Sequence, residues 1–270
     1  MDGVLLQQDV AMLPHFNAER VDYSACDEVR MAFLRLAAQR LLTQSRSSPL
    51  LGHAFEAFCD REASWLDDWA LFAALREENG HKPWREWPSD IAERESMAMA
   101  NAMVRLDAEV DEHRALQFLF ARQWMRLRAQ AHTLGLRLVV EVPRQIPAES
   151  ADAWACPALL HDEVSPESSD WWVRRLEHHA HRVDALRIHG GPLPAGLLQA
   201  DYDAPLPILF GDGDSAGVPR VDLRECMMRG AEKDAAPAQG WRFSWDALTS
   251  EVEARLAALA TTALCHVAAE

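Results

Sequence analysis

The sequence has few features of a secreted, membrane-bound or nucleic-acid-binding protein. Its N-terminus lacks a basic segment followed by an apolar stretch and a cleavage site, and no later apolar run reaches membrane-spanning length. Positive charge is also scarce: 27 Lys and Arg stand against 42 Asp and Glu, which gives a formal net charge of −15. Such a charge repels phosphate backbones and anionic lipids. We therefore expect a cytoplasmic protein with no nucleic-acid partner and no membrane partner.

Clear metal-binding patterns are missing as well. The 5 cysteines are scattered, without the Cys-x-x-Cys spacing of zinc or redox sites. The histidines His178, His179, His181 and His189 have no Asp or Glu at a recognisable ligand spacing, which favours a solvated helix end over a metal site. The acidic stretch Gly211–Gly217 lacks the closing Glu of a calcium loop, so we interpret it as a turn. We expect no metal and no cofactor.

What the sequence does contain is a long series of apolar residues at helical spacing. Its 270 residues, 49% of them apolar, suit one large domain or two small ones. Apolar residues recur every three to four positions in Ala25–Leu42, in His53–Glu78 and from Ile91 to Leu134. Residues 1–134 are therefore predicted to form a mainly helical portion.

The second half of the chain alternates helices with short apolar strands. Gly135 leads into Leu136–Val142, whose nearly continuous apolar run is typical of a strand buried on both faces. A helix over Asp170–Arg182 precedes a strand that contains Ile188, and Leu206–Phe210 is a further strand. Val4–Leu6, near the start of the chain, is a weaker strand candidate. This alternation predicts a parallel sheet with helical cover, so residues 135–270 are assigned to a reduced α/β barrel portion that ends in a helix.

Several motifs occur along the chain in a fixed order. They are VDY at Val21–Tyr23, AFEAFCDREASWLDDWALFAAL at Ala54–Leu75, KPWREWP at Lys82–Pro88, DEHRALQFLFARQW at Asp111–Trp124, SADAWACP at Ser150–Pro157 and WRFSWDAL at Trp241–Leu248. Together they resemble the amylomaltases, the bacterial 4-α-glucanotransferases, in a shortened form. The resemblance implies an α/β fold, here a degenerate or incomplete (β/α)8-type barrel with a large helical N-terminal portion.

The same resemblance indicates that the catalytic groups of the family are lost. The family's strand reads Arg-Ile-Asp-His-Phe-Arg-Gly with its Asp as the nucleophile, and His189 occupies that position here. Nothing between Gly190 and Trp241 resembles the Ala-Glu-Asp-Leu-Gly stretch of the family's acid, and the loop that covers the sugar chain is reduced to Ala158–Ser169. Retaining glycosyl transfer needs two carboxyl groups across the scissile bond, and an imidazole has no oxygen with which to form a glycosyl ester. We therefore assign no catalytic residue.

Three residues are candidates for substrate binding by resemblance. Arg187 keeps its family identity beside the nucleophile position, and Glu141 replaces a family Asp with a side chain one methylene longer. Trp154 belongs to the SADAWACP motif. Pairing of Arg187 with Glu141 as a structural remnant is the alternative interpretation. Trp84 and Trp87, in a loop, are further ligand candidates, whereas most other tryptophans fall on apolar helical stripes and are predicted to be core.

The preferred hypothesis is a catalytically inactive amylomaltase-like protein that acts as a binding or partner protein in α-glucan metabolism. The alternative is an active 4-α-glucanotransferase-like enzyme that uses non-family residues or a second chain, and a glucan-binding module without chemistry is a third hypothesis. An incomplete barrel leaves sheet edges that have to be covered. We therefore expect a homo-oligomer or a complex with an α-glucan enzyme, with a malto-oligosaccharide as the candidate ligand.

Overall fold

The computed structural model describes residues 3–11, 13–17, 20–160, 166–189, 208–210, 248–254 and 257. In chain order its elements are α1 (Gln7–Val10), α2 (Tyr23–Ser47), α3 (Pro49–Glu78), α4 (Ser89–Ala92), α5 (Ser96–Arg105), α6 (Asp107–Thr133), β1 (Val139–Pro143), α7 (Ala151–Ala155), α8 (Pro166–Ala180), β2 (Ala185–His189) and β3 (Ile208–Phe210). Short 3-10 helices cover Trp84–Glu86 and Pro157–Leu160. Residues 250–254 are also helical, and most of the helix predicted after them lies outside the described residues.

The chain divides into two compact units. One unit comprises residues 1–33 and 211–270, and the other comprises residues 34–210. The boundary expected from the sequence, at residue 134, falls inside the second unit. Helices α3 to α8 and the strands β1 to β3 therefore belong to the same unit.

The helical part of the second unit is built on α3 and α6, which pack against each other. Proline at the first position of α3 suits a helix start, because its missing N–H would have no partner there. The core beside these helices contains buried residues from α3 to α7 and from the short segments between them: Ala70, Leu71, Phe72, Ala74, Leu75, Trp87, Ile91, Ala102, Leu106, Val110 and Trp154. The apolar periodicity predicted between Ile91 and Leu134 is divided among three helices. Arg94, with a φ of 57°, ends the first of them.

A glycine turn connects the helical part to the sheet. Gly135 has a φ of 73°, in the left-handed region that favours glycine. The Leu136 N–H donates to the Ala131 carbonyl at 2.9 Å, which closes the last turn of α6 in the way of a Schellman motif. The chain then enters β1 within a few residues.

The three described strands form a parallel sheet in the order β1-β2-β3, which confirms the predicted parallel pairing. Residues of α8, among them Trp172 and Leu176, pack with Val142, Leu186 and Ile188 on one face of the sheet. The prediction that the first strand is buried on both faces is wrong, since Val139 is 47% exposed. Residues 3–5 form a bend rather than the predicted strand. The described residues thus show an α/β unit with a parallel sheet, and closure into a barrel stays a prediction.

The carboxylate of Asp184 fixes the start of β2 against the start of β1. It accepts hydrogen bonds from the Leu138 N–H at 2.8 Å and from Arg128 Nη2 at 2.8 Å, and it contacts His132 Nε2 at 2.9 Å. The Asp184 N–H in turn donates to the Leu138 carbonyl at 2.8 Å. These partners hold the pKa of the Asp184 carboxyl well below its usual range. The end of α6 and the starts of both strands therefore meet at one side chain.

Another link joins α3 to the region after α8. The buried Glu62 accepts a hydrogen bond from Trp65 Nε1 at 2.8 Å. It also forms an ion pair with Arg182, whose Nη2 lies 2.9 Å from its carboxylate. His178 lies 3.4 Å from the same carboxylate and packs edge-on against Trp65. The predicted solvated helix end is therefore wrong for His178, whose side chain is 27% exposed.

Removing the Asp184 carboxylate is expected to loosen the strand pairing. The variant Asp184→Ala leaves the Leu138 N–H without its acceptor and Arg128 with backbone carbonyls as acceptors but without this carboxylate, so we expect a loss of roughly 2–4 kcal/mol in the free energy of unfolding. Urea unfolding followed by circular dichroism measures it. The exposed Asp60 in α3 provides the matched control, since Asp60→Ala is expected to change stability by no more than about 0.5 kcal/mol. Equal effects of the two variants would contradict the assigned role of Asp184.

The half-buried histidines at the end of α8 predict a loss of stability in mild acid. Burial, followed by the charge of Arg182, lowers the pKa of His178 to about 4, and burial with Arg175 lowers that of His179 to about 4. The unfolded chain, with histidine pKa values near 6.5, therefore binds more protons than the folded chain between about pH 6.5 and 4. Stability is expected to fall as the pH drops through this window.

The measurement is the urea midpoint at several pH values between 7 and 5. The double variant His178→Gln/His179→Gln is expected to show a clearly shallower pH dependence than the natural sequence. His53→Gln, at an exposed position of α3, is the control and is expected to keep the full dependence. An unchanged slope in the double variant would refute this explanation.

Candidate functional site

The carboxyl ends of the three parallel strands lie at one edge of the sheet. In register, Pro143 of β1 lies beside His189 of β2, and Ile188 of β2 lies beside Phe210 of β3. In parallel α/β folds, ligands bind at this edge because the loops that follow the strands converge there. The sequence-derived candidates of β1 and β2 belong to this region of the sheet.

Glu141 and Arg187 are neighbours on the face of the sheet opposite α8. They are register partners in β1 and β2, and the distance from Arg187 Nη1 to Glu141 Oε1 is 3.8 Å. The Arg187 side chain is only 6% exposed, whereas that of Glu141 is 50% exposed. The structure therefore brings together two of the three predicted substrate-binding residues, in a loose ion pair with the carboxylate open to solvent.

The chemistry open to this pair is limited. A guanidinium is always protonated in proteins and does not release a proton to a leaving group. Among the described side chains of β1 and β2, Glu141 is the only carboxylate. The pair is thus able to bind hydroxyl groups or to position a water molecule, but by itself it does not supply the acid and the nucleophile of retaining glycosyl transfer.

His189 is the last residue of β2 and follows Arg187 by two positions. Its backbone lies beside Pro143 of β1, so the residue at the family's nucleophile position does reach the strand-end edge. The side chain of His189 lies outside the described residues.

Trp154, the third predicted substrate-binding residue, lies in the helical core. It is 0% exposed, and its indole N–H donates to the Ile91 carbonyl at 3.1 Å. Its ring packs against Phe72 and Trp87 at centroid distances of 5.7 and 6.0 Å, and Arg94 lies over it at 4.2 Å. An indole in this position has no face left for a sugar ring, so its placement does not support the predicted contact with substrate.

The two loop tryptophans are likewise committed to packing. Trp87 is 5% exposed and donates its indole N–H to the Lys82 carbonyl at 3.1 Å. Trp84 donates its indole N–H to the Ala148 carbonyl at 2.9 Å, and the Arg85 guanidinium lies 4.3 Å from the centre of its ring. The hydrogen bond from Trp84 to Ala148 ties the segment before α4 to the segment before α7. Neither ring offers the open platform expected of a sugar-stacking residue.

Other classes of site find no support in the part of the chain that the structure describes. No group of three or more His, Cys, Asp or Glu residues there is placed to hold a metal ion. Burial raises the pKa of the Cys59 thiol to about 11, which keeps it protonated and unreactive at neutral pH. None of the described helices combines the length and the apolar character needed to span a bilayer.

An open groove of about 480 Å³ lies away from the strand ends, beside α3 and α6. It is lined by Ser48, Leu50, Leu51, Ala54, Phe118 and Arg122. The lining is mostly apolar and holds no pair of groups with acid-base chemistry. The strand-end edge therefore remains the better candidate site.

Sequence reasoning missed the residues that position this site. Asp184 was not singled out, although an acidic residue directly before a predicted strand and after Arg182 is a usable signal for a strand-start contact. Glu62 lies within a motif whose pattern indicates only an amphipathic helix. The neighbouring sequence does not indicate which carboxylate of a long helix becomes buried. Both act through contacts far apart in the sequence.

Comparison with known proteins gives a consistent result. A family model described as 4-alpha-glucanotransferase matches residues 2–165. The 4-alpha-glucanotransferase of Thermus thermophilus is 32% identical over 211 residues, which cover 64% of this chain and 42% of the relative. That of Synechocystis is 33% identical over 220 residues, which cover 69% and 43% of the two chains. This chain therefore spans less than half the length of these relatives.

A similar fold occurs in an amylomaltase from Streptococcus agalactiae, solved in complex with acarbose. Its TM-score to this chain is 0.66 at 22% identity, over 83% of this chain and 55% of the other. At this level of identity the likeness shows the fold. The family match, by contrast, covers more than half of the 270 residues and includes the helical portion, β1 and the SADAWACP motif. The protein therefore belongs to the 4-alpha-glucanotransferase family.

Proposed function

We propose that this chain is a catalytically inactive member of its family that acts as a binding or partner protein in α-glucan metabolism. The observation that carries the proposal is the makeup of the strand-end edge. There Glu141, paired with Arg187, is the one carboxylate among the described side chains of β1 and β2. Retaining glycosyl transfer requires two carboxyl groups about 5–5.5 Å apart, one as nucleophile and one as acid.

An active glucanotransferase is the second candidate function. It is favoured by one observation: Glu141 and Arg187 are neighbours in the middle of adjacent strands, and the backbone of His189 lies at the carboxyl end of the second strand. In this case residues outside the family pattern, or a second chain, would supply the missing carboxyl groups. The two candidates predict different outcomes for a single substitution.

Substitutions of His189 separate the two functions. We expect purified natural protein to release no glucose from maltotriose above the uncatalysed rate, and we expect His189→Asp to remain inactive because a nucleophile without a proton donor does not complete the transfer. Chromatography of the reaction products measures both. Glucose release by the natural protein that disappears in His189→Ala would contradict the proposal and favour the second candidate. Activity gained in His189→Asp would show instead that a proton donor survives in the site of an inactive natural protein.

Calorimetry measures sugar binding separately from activity. It distinguishes an inactive protein that binds sugar from one that binds none. Maltoheptaose is titrated into the natural protein and into Glu141→Gln, which removes the charge beside Arg187 at nearly constant size. Glu56→Gln, at an exposed position of α3, is the matched control. Heat that Glu141→Gln alone abolishes supports a glucan-binding role at this edge. The absence of heat at millimolar sugar would exclude sugar binding and leave only the role as a partner of another protein.

A further inference from the structure

The C-terminus of α3 is closed by a turn that contains an asparagine followed by a glycine. Asn79 directly follows the helix, and Gly80, with a φ of 64°, adopts the left-handed conformation that favours glycine. The Gly80 N–H donates to the Glu77 carbonyl at 3.0 Å, and the His81 N–H donates to the Arg76 carbonyl at 2.7 Å. These two hydrogen bonds are those of a Schellman motif, so the fold favours glycine directly after Asn79.

The side chain of Asn79 takes part in the same turn. Its Nδ2 donates to the Leu75 carbonyl at 2.8 Å, and its backbone N–H donates to the same carbonyl at 2.9 Å. Asn79 is half-buried, whereas Gly80 is exposed. A side-chain amide and the backbone nitrogen of the following glycine are therefore adjacent in the chain, and each donates a hydrogen bond to a carbonyl of α3.

An asparagine followed by glycine carries both groups of a chemical reaction. The glycine nitrogen attacks Cγ of the asparagine to form a succinimide ring. The Cγ–Nδ2 bond breaks, and the side-chain nitrogen leaves as ammonia with the proton of the glycine N–H. Water then opens the ring at either carbonyl, which gives aspartate or isoaspartate. Glycine favours the attack because it has no Cβ to hinder it. Asn17 and Asn101, by contrast, precede alanine.

The turn protects Asn79 from this reaction while it is closed. The nitrogen that would attack donates to the Glu77 carbonyl, and the amide that would leave is held at the Leu75 carbonyl. Both hydrogen bonds have to open before the ring forms. The ends of helices open locally at a lower free-energy cost than the protein as a whole. The reaction rate therefore follows the population of the opened turn.

We propose that Asn79 is a site of spontaneous deamidation, that the rate is set by local opening of this turn, and that the product weakens the turn. An aspartate at this position lacks the donor to the Leu75 carbonyl. It also adds a negative charge at the C-terminal end of α3, next to Glu77 and Glu78, where the helix dipole disfavours anions. Isoaspartate in addition lengthens the main chain by a methylene within the Schellman motif.

Peptide mapping by mass spectrometry tests the proposal on the full chain, incubated at physiological temperature and neutral pH. Asn79 is expected to convert to a mixture of aspartate and isoaspartate, while Asn17 and Asn101 remain unmodified over the same time. In urea that unfolds the chain, the rate at Asn79 is expected to rise roughly tenfold or more, because the turn is then open in every molecule.

Two glycine variants of α3 distinguish local opening from unfolding of the whole chain. Arg76→Gly lies at an exposed position in the last turn of the helix, and it is expected to raise the rate at Asn79 in the folded protein roughly three- to tenfold, because glycine favours the opened chain. Glu56→Gly, at an exposed position far from the turn in the same helix, is the matched control. It weakens the helix by a similar amount and should leave the rate unchanged.

Three results would overturn the proposal. The first is an Asn79 that stays unmodified in the folded protein while it reacts in urea, and the second is an equal rate in the two conditions. The third is a rate in Arg76→Gly no higher than in Glu56→Gly, since opening of the turn would then not limit the reaction.

The effect of the product is measured on a variant that reproduces it. Asn79→Asp is expected to lower the urea midpoint of unfolding, because it removes the donor to Leu75 and adds charge at the helix end. Asn101→Asp, at an exposed position of α5, is the matched control and is expected to change the midpoint less. Equal midpoints for the two variants would refute a weakening of the turn by deamidation.

Discussion

The arrangement of the strands depends on one carboxylate, that of Asp184. It accepts the Leu138 N–H and the Arg128 guanidinium and thereby joins the end of α6 to the starts of β1 and β2. With the strand starts fixed, the register follows, and Glu141 becomes the neighbour of Arg187. The pairing of Glu141 with Arg187 therefore follows from a contact at the starts of the strands.

The type of most elements could be predicted from the sequence, because apolar spacing reports directly on which face of a helix is buried. The limits of prediction from apolar spacing are physical. The apolar pattern between Ile91 and Leu134 continues across the breaks at Arg94 and Leu106, since a buried residue serves equally well in a helix and in the turn beside it. The apolar run of β1 does not reveal that Val139 is exposed, because burial of a strand face depends on what the rest of the chain packs against it.

The candidate site was predictable to a similar extent. Family resemblance indicated that Glu141 and Arg187 are neighbours, as they are in the sheet. It suggested Trp154 as a contact to substrate, whereas the structure places this residue in the core with its N–H on Ile91. A motif preserves residues for packing as well as for chemistry, and the sequence alone does not separate the two. The distinction required the three-dimensional positions of Phe72 and Trp87 around the indole.

If the chain is inactive as proposed, the Glu141–Arg187 pair, with a histidine at the family's nucleophile position, holds no sugar as a glycosyl ester. The most direct measurement is intact-protein mass spectrometry after incubation with an activated fluorinated glucosyl donor, with the Thermus thermophilus relative run alongside. We predict an unchanged mass for this chain. A stable increase of one fluoroglucosyl unit, mapped to any residue of the strand-end edge, would contradict it.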